Sequence, residues 1–197
     1  RAFTGASLDR ARLGAAKLDG FDLSGTSLEG ADLAGASLRR AKLAGTRLVE
    51  ADLSRADLGE ATFDRTDLGR ANLTGANLAG ADLRTSTVSG ATLSGADLRG
   101  AHIEKQNLPG QDFTTAKVKG ASFRKCLLEG LVAEGVDFTG CDLTDATLSR
   151  ARLARAVLTG IAARQASFAG ADLRHASLAQ IAAQAADFRG AQLDGAD

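Results

Sequence analysis

Residues 27–43 read SLEGADLAGASLRRAKL, and Leu28, Leu33, Leu38 and Leu43 fall five apart, each with threonine or alanine two places before it. A step of five suits neither common element. On an α-helix it turns about 500° and scatters the leucines around the axis. On a flat strand an odd step sends successive side chains to alternate faces. Yet in blocks of five counted from Arg1 the third residue is Leu, Phe, Val or Ile in 36 of 39 blocks, and the register holds from Phe3 to Leu193. A fixed period of this kind marks a repeat architecture.

The exceptions are Ala133, Ala163 and Ala183, and two residues before them stand Leu131, Ile161 and Ile181, where alanine is otherwise usual. Large and small side chains have changed places, a swap that conserves volume and that packed interiors tolerate. The first and third positions therefore face one core. Twenty of the 23 glycines occupy the fifth position, and the single proline, Pro109, precedes Gly110. Proline then glycine at the centre of a turn is the type II pattern, whose second central residue needs φ > 0. Each block is read as a short extended piece followed by a tight corner.

A slower period gives the number of corners per circuit. Thr26, Thr46, Thr66, Ser86, Gln106 and Cys126 replace the first-position alanine at 20-residue intervals, and Phe21, Cys141, Ile161 and Ile181 lie on a second such line. Residues 20 apart are then stacked neighbours, with four blocks to a coil. Two ladders are expected from this stacking: threonine hydroxyls pairing with one another across coils, and an alternating charge column of Asp64, Arg84, Glu104 and Arg124. Asp32 above Asp52 opposes them as a like-charged pair.

The blocks ADLAG, ADLSR, ANLTG, ANLAG and ADLRG resemble the A(D/N)Lxx motif of the bacterial pentapeptide-repeat family, and the resemblance covers the whole chain. It implies an all-β fold, a right-handed quadrilateral parallel β-helix of 9–10 coils over residues 1–197. At about 4.8 Å per coil the rod is roughly 47 Å long. A single repeat domain is expected, excised from a longer chain or capped by sequence beyond it.

Composition narrows the function classes. Tryptophan, tyrosine and methionine are absent, which suits a narrow solenoid core, and no apolar run approaches the length of a membrane span. The 24 basic and 24 acidic residues cancel. Sorted by face from the one holding Arg1, the net charges are +2, −1, −1 and 0, so no face carries a field suited to binding or imitating nucleic acid. Cys126 and Cys141 are inward residues on different faces, expected as free thiols, in keeping with a reducing cytoplasm. His102 and His175 stand more than three coils apart, and no phosphate-loop, nucleophile-elbow or zinc-helix motif occurs. No catalytic, cofactor-binding or metal residue is assigned, no cofactor is implied, and the second-position aspartates are read as bonding to nearby backbone.

Two stretches break the repeat. In HIEKQNLPGQDF, residues 102–113, Gln106 and Gln111 occupy inward alanine positions beside His102 and Pro109. Buried amides need partners, so either both bond to coil carbonyls or the coil opens there as a local irregularity. In CLLEGLVAEGV, residues 126–136, and again further on, Leu127, Val132 and Val157 put apolar side chains at the outward second position, a candidate contact patch. The terminal coils lack visible caps, which points to flanking domains or end-to-end pairing with a second copy. The resulting expectation is a non-enzymatic interaction module or rigid spacer with a protein partner, without nucleic acid or membrane. The family resemblance further implies a bacterial source and a place within a larger, secretion-associated protein. The alternative, implied by a branch of the same family, is a DNA-mimicking protein that binds gyrase and confers quinolone resistance.

Overall fold

The computed structural model describes residues 1–197, coiled into a rod with four flat faces. The first face begins with residues 1–5, the second with 6–10, the third with 11–15 and the fourth with 16–20; each recurs every 20 residues. Parallel bridges join outward second-position residues 20 apart on all four: Lys42↔Thr62, Ser27↔Arg47, Asp32↔Asp52 and Ser37↔Asp57.

One hydrogen-bond scheme repeats around the coil. A third-position N–H donates to the second-position carbonyl of the next coil (Leu33 to Asp52, 2.7 Å), and a second-position N–H donates to the first-position carbonyl of the coil before (Asp52 to Ala31, 2.9 Å). The fifth-position N–H donates upward as well (Gly35 to Ser54, 2.7 Å), and the corner closes when a first-position N–H reaches back three residues (Ala36 to Leu33, 3.0 Å). Only the fourth-position N–H is left over. The aspartate or asparagine two residues earlier takes it, as Asp52 Oδ1 does from Ser54 at 2.9 Å and Asn72 Oδ1 from Thr74 at 3.1 Å. The D/N of the motif thus satisfies the one backbone donor that the coil leaves unpaired.

Corners need the left-handed conformation at the fifth position, where φ runs from +51° to +73°. Thr85 and Thr115 are the two fifth-position residues outside this set. Both are β-branched, the side-chain class that the left-handed region penalises most.

Alanine at the first position and leucine at the third fill the core, and the exchanged pair Leu131 and Ala133 is completely buried, as are Ile161 and Ala163. The hydroxyl ladder differs from the expected threonine pairing. Thr26, Thr46 and Thr66 each donate to the corner carbonyl 23 residues earlier, at 2.7, 2.7 and 2.6 Å. Ser86 does the same to Phe63 at 2.9 Å. The thiols of Cys126 and Cys141 follow, reaching Ile103 and Val118 at 2.7 and 3.0 Å. A spare lone pair on a corner carbonyl lies nearer to each side chain than the next hydroxyl does.

Through residues 1–59 and 141–177 every inter-coil rung of this scheme is made, whereas several are missing between residues 60 and 140. The bridges 62↔82, 87↔107, 92↔112 and 117↔137 are absent from an otherwise continuous series. No helix is long and apolar enough to cross a membrane.

Candidate functional site

The outward surface is built from the second, fourth and fifth positions, and its charges are knitted together. Where aspartate at the second position is followed by arginine at the fourth, the two point the same way off one extended segment. Arg84, Arg99, Arg174 and Arg189 each place Nε and a terminal guanidinium nitrogen on both oxygens of Asp82, Asp97, Asp172 and Asp187. These forks hold the carboxyls of Asp82, Asp172 and Asp187 at about 2, with the arginine bond as the largest cause. The spelling DLR or DFR in the sequence carries this arrangement and sequence reasoning passed over it.

Other pairs tie one coil to the next. Arg47 meets Glu29 at 2.8 Å, Arg152 meets Glu134 at 2.7 Å, and Arg39 bridges Asp57 and Glu60 at 3.1 Å each. The expected column of Asp64, Arg84, Glu104 and Arg124 does not form. Arg84 turns to Asp82, Arg124 leans to Asp142 at 3.6 Å, and Asp64 pairs with its neighbour Arg65. A partner two residues away on the same segment costs less side-chain ordering than one on the next coil.

No group of three or more His, Cys, Asp or Glu side chains is placed to hold a metal ion. Burial pushes the Cys126 thiol up to about 11 and the Cys141 thiol up to about 12, which leaves neither as a thiolate nucleophile near neutral pH. A recess of about 420 Å³ forms an open groove on the first face, lined by Thr62, Phe63, Asp64, Asp82 and Thr85 among others. Within it the Thr85 hydroxyl donates to Asp64 Oδ1 at 3.2 Å, and no histidine, cysteine or lysine lines it.

The singled-out apolar residues occupy three consecutive faces. Leu127 stands on the second face between Asn107 and Thr147, Val132 on the third between Asp112 and Arg152, and Val157 on the fourth between Asp137 and Ser177. Leu127 and Val132 flank the Gly130 corner, one coil beyond Pro109 and Gly110, and Val157 lies on the face opposite Leu127. Leu127 is 49% exposed. The other exposed large apolar residues, Phe3 and Leu193, lie on the first and last coils.

Of the four residues singled out in the stretch 102–113, His102 sits within an intact ladder, donating its N–H to Ala81 at 2.8 Å and accepting from Leu83 at 2.9 Å. Gln106 and Gln111 point inward, and every polar atom of their amides is bonded to backbone. Pro109 lies outward on the second face between them. Its carbonyl is not reached by Gly90, whose N–H goes to Asn107 instead at 3.3 Å.

Comparison with known proteins agrees with this architecture. The profile of the family described as "Pentapeptide repeats" matches in 8 copies, over residues 6–48, 51–90, 91–130, 121–160 and 163–197. Among solved structures the chain is similar to HetL, a pentapeptide-repeat protein involved in heterocyst differentiation regulation from the cyanobacterium Nostoc. The two are 27% identical over 98% of this chain and 90% of that one, with a TM-score of 0.67. Full-length QnrB1, a plasmid-mediated fluoroquinolone resistance protein, is 18% identical over 100% of this chain and 90% of its own, with a TM-score of 0.37. No curated protein matches by sequence. The fold shared with such neighbours is the right-handed, four-sided β-helix.

Proposed function

We propose that this chain, which belongs to the pentapeptide-repeat family, is a non-enzymatic interaction module whose stiff rod presents a docking edge to a protein partner. The observation that carries this reading is Leu127, a large apolar side chain 49% exposed in the body of the rod, at a position that elsewhere holds mainly polar residues. Val132 around the corner and Pro109 on the coil below extend it into an apolar edge. Its flanking acids are already matched, Glu129 to Arg150 and Glu134 to Arg152, so the edge offers shape and apolar area rather than net charge.

A photo-crosslinking residue in place of Leu127, with Arg47 in the same column as the control position, tests this in cells of the native host. A discrete protein adduct is expected from position 127 and not from 47. Equal labelling at both positions, or none at either, would sink the reading. On every face carboxylates are interleaved with arginine and lysine, so a gyrase supercoiling assay with and without a quinolone is expected to show no effect of the rod. Inhibition or protection would replace this reading with a topoisomerase-directed one.

A further inference from the structure

Gln106 and Gln111 do more than satisfy themselves. In the regular scheme Val88 would donate to the Asn107 carbonyl and Asn107 to the Ser86 carbonyl, and neither bond is made. Instead the Gln106 amide stands in both: its Oε1 accepts from Val88 N–H at 3.0 Å and its Nε2 donates to Ser86 at 2.9 Å. One face further on, Gln111 repeats the substitution, accepting from Leu93 at 3.2 Å and donating to Ala91 at 3.0 Å, while the rungs between Leu93, Asp112 and Ala91 are lost. A primary amide presents the same donor and acceptor as a peptide unit, so each glutamine acts as an extra rung between two coils.

An extra rung needs room, and the room is one-sided. At the same level the first face keeps its central rungs, Leu83 to His102 at 2.9 Å and His102 to Ala81 at 2.8 Å, and loses only the corner rung from Thr85. The fourth face stays closed, through Leu98 to Lys117 at 2.7 Å and Lys117 to Ala96 at 3.0 Å. On the second face one direct backbone bond survives, displaced from its regular partner, Gly90 N–H to the Asn107 carbonyl at 3.3 Å. With the regular rungs replaced by amides on two adjacent faces and the central rungs kept on the other two, the coils form a wedge. The corner bonds that should lead into both glutamines, Gln106 to Ile103 and Gln111 to Leu108, are open as well. Thr85 and Thr115, the two corners outside the left-handed set, bracket the segment.

We propose that residues 86–115 form a joint in the rod, latched open by the amides of Gln106 and Gln111, with the edge between the second and third faces as its open side. The alternative arrangement is a straight ladder of direct rungs. That arrangement would leave two amides in the core without partners, and this holds the latch in place. Alanine, the usual residue at both positions, carries no such penalty, so removing the polar groups closes the joint.

Residue-resolved hydrogen exchange on the intact chain tests the proposal. In the native sequence the Asp112 amide has lost its backbone acceptor, and that of the Asn107 amide is replaced by a long bond to the Ser89 hydroxyl at 3.4 Å. Both are expected to exchange faster than Asp32 and Asp52, their counterparts in regular coils, by at least about 10-fold at Asp112. In the variant Q106A/Q111A both amides are expected to slow to the regular rate, with no fall in the thermal midpoint. A second readout uses spin-label pairs across the joint. A pair at positions 70 and 150, on the open edge, shortens in the double variant, and a pair at 60 and 140, on the opposite edge, does not. Equal exchange at the four native amides would overturn the joint even if the double variant did not fold. Unchanged exchange in a folded double variant, or a lower midpoint, would reduce the glutamines to ordinary satisfied polar residues.

Discussion

Thr46 and Gln106 occupy the same inward position of the same column, three coils apart, and the coils around them differ. At Thr46 the hydroxyl donates to Leu23 at 2.7 Å and the flanking rungs, Arg47 to Thr26 and Leu28 to Arg47, are intact at 3.0 and 2.8 Å. At Gln106 the corresponding rungs are replaced by the amide. Side-chain length decides between the two outcomes. A γ-oxygen ends against the corner carbonyl and uses its spare lone pair. An amide two carbons further out cannot fold back to that carbonyl within the narrow core, so it enters the ladder.

The largest test of this contrast is in the core itself. Leu48 and Leu108 share one column and are both buried. Leu48→Ala, in intact coils, is expected to cost about 3–5 kcal/mol, because neighbours tied by complete rungs cannot collapse into the cavity. Leu108→Ala is expected to cost about 2–3 kcal/mol, since its coil already lacks rungs on the side facing residue 88. Chemical denaturation of the two variants checks the order; equal losses would mean that the middle coils are packed as stiffly as the rest.

Transplanting the polar group is the next step down. Thr46→Gln should import the wedge into a regular coil and cost about 1–3 kcal/mol through overpacking and broken rungs. Thr46→Ala should cost only about 1 kcal/mol, the net worth of one hydrogen bond. If the glutamine variant proved as mild as the alanine one, length would not be the deciding property.

Much of this was legible in residue order, and the limit has a physical cause. The five-residue period, the 20-residue coil, the inward pairs such as Leu131 with Ala133, and the corner at Pro109–Gly110 follow from patterns that only backbone geometry can impose. Gln106 and Gln111 stood out as misfits for the same reason. Which bond each polar group would choose was not legible. The Thr26 column was read as hydroxyl pairing and Arg84 as a partner for Glu104 on the next coil, yet both found something nearer: a corner carbonyl and Asp82. Sequence period gives the column in which a side chain stands, while the choice among neighbours within reach depends on a few tenths of an ångström. The apolar edge is a different case, since Leu127 and Val157 stand 30 residues apart and the 20-residue period alone sets them on opposite faces.

Corners give a smaller effect that differs in size between the two regions. Gly35→Thr, at a left-handed corner of the regular part, is expected to cost about 1–2 kcal/mol because a β-branched residue must adopt φ > 0. Thr115→Gly, where φ already lies outside that region, is expected to cost no more than about 1 kcal/mol, through the added freedom of the unfolded chain. Thermal melts of the pair check the asymmetry. A destabilisation of Thr115→Gly as large as that of Gly35→Thr would show that threonine itself holds the corner.

The smallest effect concerns the arginine forks, which occur in both regions: Asp82 beside the broken rungs of the first face, Asp172 and Asp187 in regular coils. All three carboxyls are depressed from 3.8 to about 2 by the facing arginine. A depressed carboxylate contributes stability that is present above the unfolded value and lost as pH falls through the folded one, which sets the window between pH 3.8 and about 2. The arginines are solvent-exposed and only two residues from their aspartates, so the unfolded chain can form much of the same contact and the stability change across that window should be slight. Arg174→Ala is therefore expected to return the Asp172 titration midpoint to the ordinary carboxylate range, followed by carboxyl NMR, while leaving the melting temperature nearly unchanged at neutral pH. A melting shift as large as that of Thr46→Ala would show instead that the forks help to hold the coils, and would place part of the rod's stiffness on its surface rather than in its ladder.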